Sequence, residues 1–212
     1  MIESSVETTA TPNRKTLQSQ DTRKRLIEAA ASLFAERGYA DSTVAAIGDA
    51  AGVSRGLINH HFGSKENLLY EVIANILGEW NELMVPAVKG TRGVHTLRAI
   101  LDSFMEFADR RRERAQLLFR LMAQAFDPKS DMVEEFLKVH KRWIEKSRIW
   151  WDEGIADGDI DPSIDHESMA TFLIGASRGL VLDSLIAPDK ADLHKSFDHL
   201  WTLFSRGVKP AS

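Results

Sequence analysis

Residues 43–62 read Thr43-Val-Ala-Ala-Ile-Gly-Asp-Ala-Ala-Gly-Val-Ser-Arg-Gly-Leu-Ile-Asn-His-His-Phe62 and predict two short helices joined by a tight turn. Four apolar residues have the spacing to pack between these helices: Ile47, Ala51, Val53 and Ile58. Glycine in a helix interior costs roughly 1 kcal/mol relative to alanine, so Gly48 indicates a point where the helix axes cross closely. Gly52 supplies the residue for a left-handed turn. We therefore expect a helix-turn-helix over this stretch.

The polar residues of the second helix predict its outer face. Ser54 is placed to cap the helix, and Arg55, Asn59 and His60 follow on one side near the N-terminal end. In a helix-turn-helix protein this end enters the major groove of DNA. The alternative is that the two helices form an ordinary corner of an all-α protein. The helices predicted on either side, together with Phe62, favour DNA binding.

Helical periodicity extends over almost the whole chain, without a strand pattern, so the predicted fold class is all-α with about nine helices. Outside the motif we expect helices from about Asp21 to Gly38, from a Ser64 cap to about Val85, and over about 92–111, 113–125, 132–155, 165–186 and 189–206. The expected organisation is a disordered tail (1–19), a DNA-binding domain (20–65) and a ligand-binding and dimerisation domain (66–209). In the tail, Arg14 and Lys15 either reach the duplex as a flexible arm or are solvated, and the tail's composition favours solvation.

Composition and charge exclude several other classes of protein. The 212 residues contain no cysteine, which rules out disulfides and thiolate zinc sites. His60 and His61 are adjacent on a helix and lack a further ligand at i+4, so neither a metal nor a cofactor is expected. The net charge is −4, but residues 1–65 hold eight Lys and Arg against seven Asp and Glu, so phosphates would be accepted only there.

Neither an enzyme motif nor a targeting segment is present. The sequence has no glycine-rich phosphate loop and no nucleophile elbow, so we expect no enzyme activity. It also lacks an apolar signal segment and a long apolar run, which predicts a cytoplasmic protein that does not bind a membrane.

The N-terminal segment resembles the TetR family of bacterial regulators. The resemblance lies in the helix Thr22–Gly38, Thr43-Val with Ile47, Ala51-Gly-Val-Ser54, Gly56-Leu-Ile58, Phe62, and Lys65 with Leu68-Leu69. It implies that seven residues face DNA: Thr43, Ser54, Arg55, Gly56, Asn59, His60 and Lys65. Arg55 would bond a guanine edge, and Lys65 at a helix N-terminus would hold a phosphate. Many members have tyrosine where this chain has Asn59, so His60 is the alternative for that phosphate contact.

The C-terminal half is similar to the Bet-type, choline-responsive repressors of the same family. The likeness lies in residues 140–154, Gly158-Asp-Ile-Asp-Pro162 and the segment 175–179. It implies a small-molecule effector such as choline or an aldehyde, and aromatic faces attract quaternary ammonium groups. The candidate ligand-binding residues are Trp80, Phe104, Phe107, Met122, Trp143, Trp150 and Phe172. Core packing or a dimer surface is the alternative for each, and for Arg120 and Arg178 a salt bridge is favoured over an anionic ligand.

The last two predicted helices carry wider apolar faces than one chain is expected to bury. Their small residues would let helices approach closely, and the family has an interface at this place. The residues expected in a homodimer interface are Phe172, Ala176, Gly179, Leu180, Phe197, Leu200, Trp201 and Phe204. Twofold symmetry would place two DNA-binding helices on one face of the duplex.

These features together predict a DNA-binding transcriptional regulator, and a repressor in particular. Its affinity for a double-stranded operator would be controlled by a small molecule in the C-terminal domain. The alternative is a helical small-molecule-binding or adaptor protein without specific DNA binding.

Overall fold

The computed structural model describes residues 14–126, 130, 132–189 and 192–210. These residues form nine α-helices and one 3-10 turn, Gln124–Phe126, and none of them is in a strand. The helices are α1 (Arg14–Asp41), α2 (Val44–Ala51), α3 (Arg55–Phe62), α4 (Lys65–Ala87), α5 (Gly93–Arg110), α6 (Arg112–Ala123), α7 (Met132–Ala156), α8 (His166–Ile186) and α9 (Leu193–Gly207). The all-α prediction is confirmed.

Helix α1 begins earlier than the sequence pattern predicts. It starts at Arg14, so residues 14–19 are helical rather than part of a disordered tail. This segment has no glycine or proline, and the helix can therefore extend N-terminally from its packed part. The rest of the predicted tail, and the side chains of Arg14 and Lys15, lie outside the described residues. The regular helix breaks at Gly38 (φ 82°), where the sequence predicts its end.

The chain divides into two compact units, with the boundary between Val72 and Ile73. The first unit contains α1, α2, α3 and the first turns of α4. Its core consists of fully or almost fully buried residues from all four helices: Leu26, Ala30, Phe34, Ile47, Ile58, Leu68 and Val72. The sequence-based division places the boundary earlier, at the first residue of α4, which contributes residues to both units.

The second unit contains the remainder of α4 and the helices α5 to α9. Helix α5 packs against α7, and α8 packs against α9. One buried cluster joins four of these helices and the segment between α7 and α8: Leu97, Trp151, Ile160, Leu173, Phe204 and Val208. The glycine-rich turn before α8 is held against the end of α9, because the N–H of Asp161 donates to the carbonyl of Val208 (2.7 Å).

Helix α8 is the one helix in the described part of the chain that is long and apolar enough to cross a membrane by length and composition. That is weak evidence, because core helices also meet this criterion. Seven of its residues are buried within the second unit.

Candidate DNA-binding surface and effector cavity

Gly48 allows α2 and α3 to approach each other closely within residues 43–62, which we call the reading head. A Cβ atom at Gly48 would lie 3.1 Å from the carbonyl oxygen of Val53 and 3.7 Å from Cδ1 of Ile58. Ile47 and Ile58 are fully buried beside this contact, whereas Val53 is half-buried. The glycine therefore has the packing role that its position in the sequence predicts.

The ends of the two helices are fixed in different ways. The Oγ1 atom of Thr43 accepts a hydrogen bond from the N–H of Ala46 (3.1 Å) and caps α2. Gly52 ends α2 in the left-handed conformation (φ 65°). Ser54 has the extended backbone of an N-cap residue, but its hydroxyl does not reach the free N–H groups of α3 and makes no cap bond. The capping role predicted for Ser54 is therefore wrong, and its side chain stays on the exposed surface.

The outer face of α3 and the residue before it carry five of the side chains predicted to contact DNA. All five are exposed: Ser54, Arg55, Gly56, Asn59 and His60. Ile58 and Phe62 are buried on the opposite side of the same helix. Among the described residues Arg55 has no hydrogen bond or ion pair, so its guanidinium can contact DNA without first breaking a bond within the protein.

Lys65 is bound to the last residues of α1, after the break at Gly38. Its Nζ donates to the carbonyl of Ala40 (3.3 Å) and lies 4.2 Å from the centroid of the Tyr39 ring. Burial lowers the pKa of Lys65, while Glu66 and Asp41 act in the opposite direction. An ammonium group has three donors, and this hydrogen bond uses one. Lys65 is thus half-buried and oriented, with donors left for a phosphate.

His61 lies at the end of α3, beside the residues predicted to contact DNA. Burial is the largest cause that lowers the pKa of His61, and the neighbouring His60 and Arg23 lower it further. Among the seven predicted DNA-contacting residues, Arg55 and Lys65 are the two lysine or arginine side chains.

Two arginines that the sequence analysis did not select hold the reading head against α1. Arg25 donates from Nη2 to the carbonyl of Ala51, at the C-terminal end of α2 (2.5 Å). Arg23 lies over the ring of Phe62, with 5.5 Å between the guanidinium carbon and the ring centroid. In the sequence, these two arginines are visible only as part of the basic run 23–25, and such a run by itself indicates a charged surface rather than contacts with the reading head.

The start of α4 is fixed by Ser64 and Asn67. The Oγ atom of Ser64 accepts a hydrogen bond from the N–H of Asn67 (3.1 Å), as expected for a helix cap. The Nδ2 atom of Asn67 in turn donates to the carbonyl of Phe62 (2.8 Å), which ties the end of α3 to the beginning of α4.

The second unit contains a cavity of about 80 Å³ between α4, α5, α6, α7 and α8. Its lining residues are Leu77, Trp80, Ile100, Leu101, Phe104, Leu118, Phe119, Met122, Phe136, Val139, Trp143, Ile174, Ser177 and Arg178. Four of the predicted ligand-binding residues are thus brought together: Trp80, Phe104, Met122 and Trp143. An engineered apolar cavity of about 150 Å³ admits benzene, so a larger effector has to displace side chains here.

The stacked indoles of Trp80 and Trp143 stand between this cavity and an outer groove. Their ring centroids are 5.5 Å apart and the planes are nearly parallel (12°). Both side chains line the cavity and also the groove, which has a volume of about 390 Å³ and carries Arg142 and Lys146. The Nε1–H of Trp80 donates to Oγ of Ser103 (2.9 Å), which fixes the orientation of this ring, while Trp143 contacts Trp80 on one side and Trp150 on the other.

The other three predicted ligand-binding residues do not line the cavity. Phe107 is buried (1% exposed), and Phe172 is on the surface of α8 (51% exposed). Trp150 lines the outer groove, with its ring centroid 6.2 Å from that of Trp143. Helical spacing indicates which residues share a face, but it does not say which neighbouring helix that face meets.

Among the described residues that line the cavity, Arg178 is the one that carries a charge. Burial lowers the pKa of Arg178. The salt bridge that sequence reasoning favours for Arg178 is absent from the described residues, because the side chains around it in the cavity wall are apolar or, for Ser177, a hydroxyl. That hydroxyl donates to the carbonyl of Leu173 (2.7 Å).

Residues predicted for the dimer interface on α9 belong mainly to the core of the second unit. Phe197 (1% exposed) and Phe204 (5% exposed) are buried, and Trp201 packs against the same core. The guanidinium carbon of Arg98 on α5 lies 4.9 Å from the ring centroid of Phe197 and covers that face. The most apolar side of α9 is therefore buried within the subunit. Of the residues on α9 that were predicted for the interface, Leu200 and Trp201 are half-buried.

Helix α8, in contrast, leaves an apolar face open. Phe172 and Gly179 are exposed there, and Ala176 and Leu180 are half-buried. A Cβ atom at Gly179, or at Gly175 one turn earlier, would meet no atom within 4 Å. Three exposed apolar residues on α8 and α9 were missed by the sequence analysis: Leu182, Ile186 and Leu203.

Two family models match this chain. Residues 26–72 match the model described as bacterial regulatory proteins, tetR family. Residues 93–200, about half of the chain, match the model described as tetracyclin repressor-like, C-terminal domain.

Individual proteins agree with these matches. The chain is 31% identical over 160 residues to the HTH-type transcriptional repressor KstR2 of Rhodococcus jostii, which is 71% of this chain and 74% of that protein. It is 30% identical over 132 residues to the HTH-type transcriptional regulator BetI of Brucella suis (60% of this chain, 64% of that protein). The crystal structure of a TetR transcriptional regulator from Chloroflexus aurantiacus has a TM-score of 0.75 and 27% identity, covering 92% of this chain and 100% of that one.

Proposed function

The chain belongs to the tetR family of bacterial regulatory proteins, and from this we propose that it is a repressor that binds its operator through the outer face of α3 until an effector enters the cavity of the second unit. Its relatives are DNA-binding transcriptional regulators rather than enzymes. The protein is thus a ligand-responsive regulator of transcription, and it acts in the cytoplasm, where its operator is.

The exposed face of α3 is the observation that carries the proposal. A helix of eight residues with two buried residues on one side and unbonded polar residues on the other is suited to a major groove. Arg55 is the residue for direct reading of a guanine, because a guanidinium can donate two hydrogen bonds to O6 and N7. Thr43, Ser54, Gly56, Asn59 and His60 would contact the backbone or neighbouring bases, and Lys65 would hold a phosphate.

We place the homodimer interface on the open face of α8. Phe172, Leu182 and Ile186 are exposed apolar residues on that helix, and the space beside Gly175 and Gly179 allows a second helix to approach. Leu203 would extend the surface onto α9. A twofold axis would set two copies of α3 about one duplex turn apart, roughly 34–36 Å.

The effector would act by favouring one of two states of the dimer. Helix α4 supplies Lys65 to the DNA-binding surface and Leu77 and Trp80 to the cavity wall. An effector that displaces Trp143 would remove the ring that stacks on Trp80 and so perturb α4, the helix that also carries Lys65.

A Bet-type response to choline is the narrower hypothesis for the effector. It is supported by the aromatic walls formed by Trp80, Trp143 and Phe104, since ring faces attract quaternary ammonium groups. Two arginines lie near these walls, Arg178 in the cavity and Arg142 in the groove. Their positive charges would repel a positively charged effector such as choline.

The test is to select an operator from random-sequence DNA and to measure its affinity for the purified protein. Arg55→Ala should weaken specific binding about 5- to 150-fold, because a bidentate contact with guanine is worth ~1–3 kcal/mol. The control is Arg148→Ala, which removes an exposed arginine of the second unit. Equal binding by both variants would show that Arg55 does not read the operator. If the wild-type protein selects no DNA sequence, the alternative of a ligand-binding or adaptor protein is the better one.

A further inference from the structure

The cavity of the second unit has one strongly polar group, the guanidinium of Arg178. Twelve of its other lining residues are aliphatic or aromatic, and the remaining one is Ser177. A guanidinium has five N–H donors in a planar fork, and the described residues offer those of Arg178 no acceptor. Arg178 is half-buried, so its donors are only partly hydrated, and a ligand with acceptor atoms would supply the hydrogen bonds that the described residues do not.

The positive charge of Arg178 has no counter-ion among the described residues of the cavity. Those that line its walls from α4, α5, α6 and α7 include no carboxylate. On α7, burial lowers the pKa of His140, and the positive charge of Arg178 lowers it further. A histidine is neutral or positively charged, so it does not act as a counter-ion for Arg178.

We propose that the effector is an organic anion of which a carboxylate binds the guanidinium of Arg178, while its apolar part occupies the aromatic cavity and displaces Trp143. The fork of donors matches the two oxygens of a carboxylate. This proposal depends on the proposed function in one respect, because it takes the cavity as the effector site. It excludes choline, whose positive charge would be placed near that of Arg178.

The first experiment compares neutral and anionic probes of equal shape with the wild-type dimer. Phenylacetate and hexanoate are titrated by calorimetry against phenylacetamide and hexanamide, with choline as a cationic probe. The carboxylates should bind about 10- to 100-fold more tightly than the amides, because only a carboxylate adds an ion pair and a second acceptor oxygen to the hydrogen bond with the guanidinium. Choline should bind more weakly than any of them.

The second experiment assigns this preference to Arg178. Arg178→Gln should lower carboxylate affinity to that of the amides, and should lower amide affinity much less than carboxylate affinity. Arg178→Lys keeps the charge but not the fork, and should retain part of the preference. Arg142→Gln removes the arginine of the outer groove and should have no effect if the carboxylate is inside the cavity. Thermal unfolding, size-exclusion chromatography and operator affinity check that each variant is folded and dimeric.

Several results would overturn the proposal. These are equal binding of amides and carboxylates to the wild type, tighter binding of choline, no carboxylate binding, or loss of the preference in Arg142→Gln instead. Dissociation of the dimer in Arg178→Gln would also overturn it, since the arginine would then pair with the second copy. If Arg178→Gln does not fold, the comparison of carboxylate and amide binding to the wild-type protein still tests whether the site prefers an anion. Failure of the proposed function is seen separately, as absence of operator binding.

Discussion

The reading head of the first unit and the cavity of the second differ in how far apart their parts lie in the chain. The head is formed by two helices and a turn within residues 43–62, whereas the cavity takes its walls from five helices between Leu77 and Arg178. In the head, contacts between residues close in the chain decide which side chains face outward. In the second unit, the packing of helices that are distant in the chain decides which side chains line the cavity. Substitutions should therefore act on the head through its local core and its caps, and on the cavity through the volume and charge of its walls.

The largest effect that we expect is in the core of the head. Ile58→Ala should lower the free energy of unfolding by about 2–5 kcal/mol, because Ile58 is fully buried against the helix crossing at Gly48. Leu57→Ala, at a half-buried position in the same helix, is the matched control and should cost less. Urea unfolding followed by circular dichroism measures both. An equal loss in the two variants would mean that the head is not held by this local core.

The cavity can be tested by filling it. Val139→Phe should weaken effector binding at least tenfold, about 1.4 kcal/mol, and leave operator affinity unchanged. The control is Leu137→Phe, which adds a similar ring at an exposed position of the same helix. Calorimetry with the tightest-binding probe and gel shifts measure the two affinities. If Val139→Phe alters operator affinity but not effector affinity, the cavity is not the effector site.

The two cap positions of the head should differ from each other. Thr43→Ala removes an observed cap bond and should cost about 1 kcal/mol of stability. Ser54→Ala removes no cap bond, so its stability cost should be a few tenths of a kcal/mol at most, with any larger change confined to DNA affinity. Thermal unfolding and gel shifts of both variants separate stability from binding. A greater loss of stability for Ser54→Ala would contradict the structure.

The smallest effect is a pH dependence in the second unit. His166 is buried and bonded to Oγ of Ser147 (2.9 Å). Burial, followed by the charge of Arg148, lowers the pKa of His166 below its ordinary value of about 6.5, against the opposing effect of Asp152, Asp165 and Glu167. Because the unfolded chain binds the proton first, stability should be full above about pH 6.5 and should be lost as the pH falls towards the folded-state pKa. His166→Gln should make this slope shallower in unfolding curves between pH 7 and pH 5. The same substitution at exposed His199 is the control, and an unchanged slope in His166→Gln would refute the assignment.

Individual residues show which features of each region could be predicted from the sequence. Gly48 and Gly52 were predictable because each needs a special local geometry, and the buried Ile58 follows from helical spacing. Arg25 was not predictable, because its partner is a backbone carbonyl 26 residues away. Phe197 and Phe172 were both chosen from apolar spacing, yet one is buried in the subunit and the other is exposed. Spacing gives the face of a helix but not the neighbour that covers it.

The sequence by itself determined the all-α fold, the helix-turn-helix and the outward side of α3, because these depend on residues within a few turns of one another. The tertiary structure decided which four of the seven candidate residues meet in one cavity, which apolar face stays open on α8, and that Arg178 lies in an apolar wall without an acidic partner. The physical reason is that burial and charge pairing depend on groups that are far apart in the chain and come together only on folding.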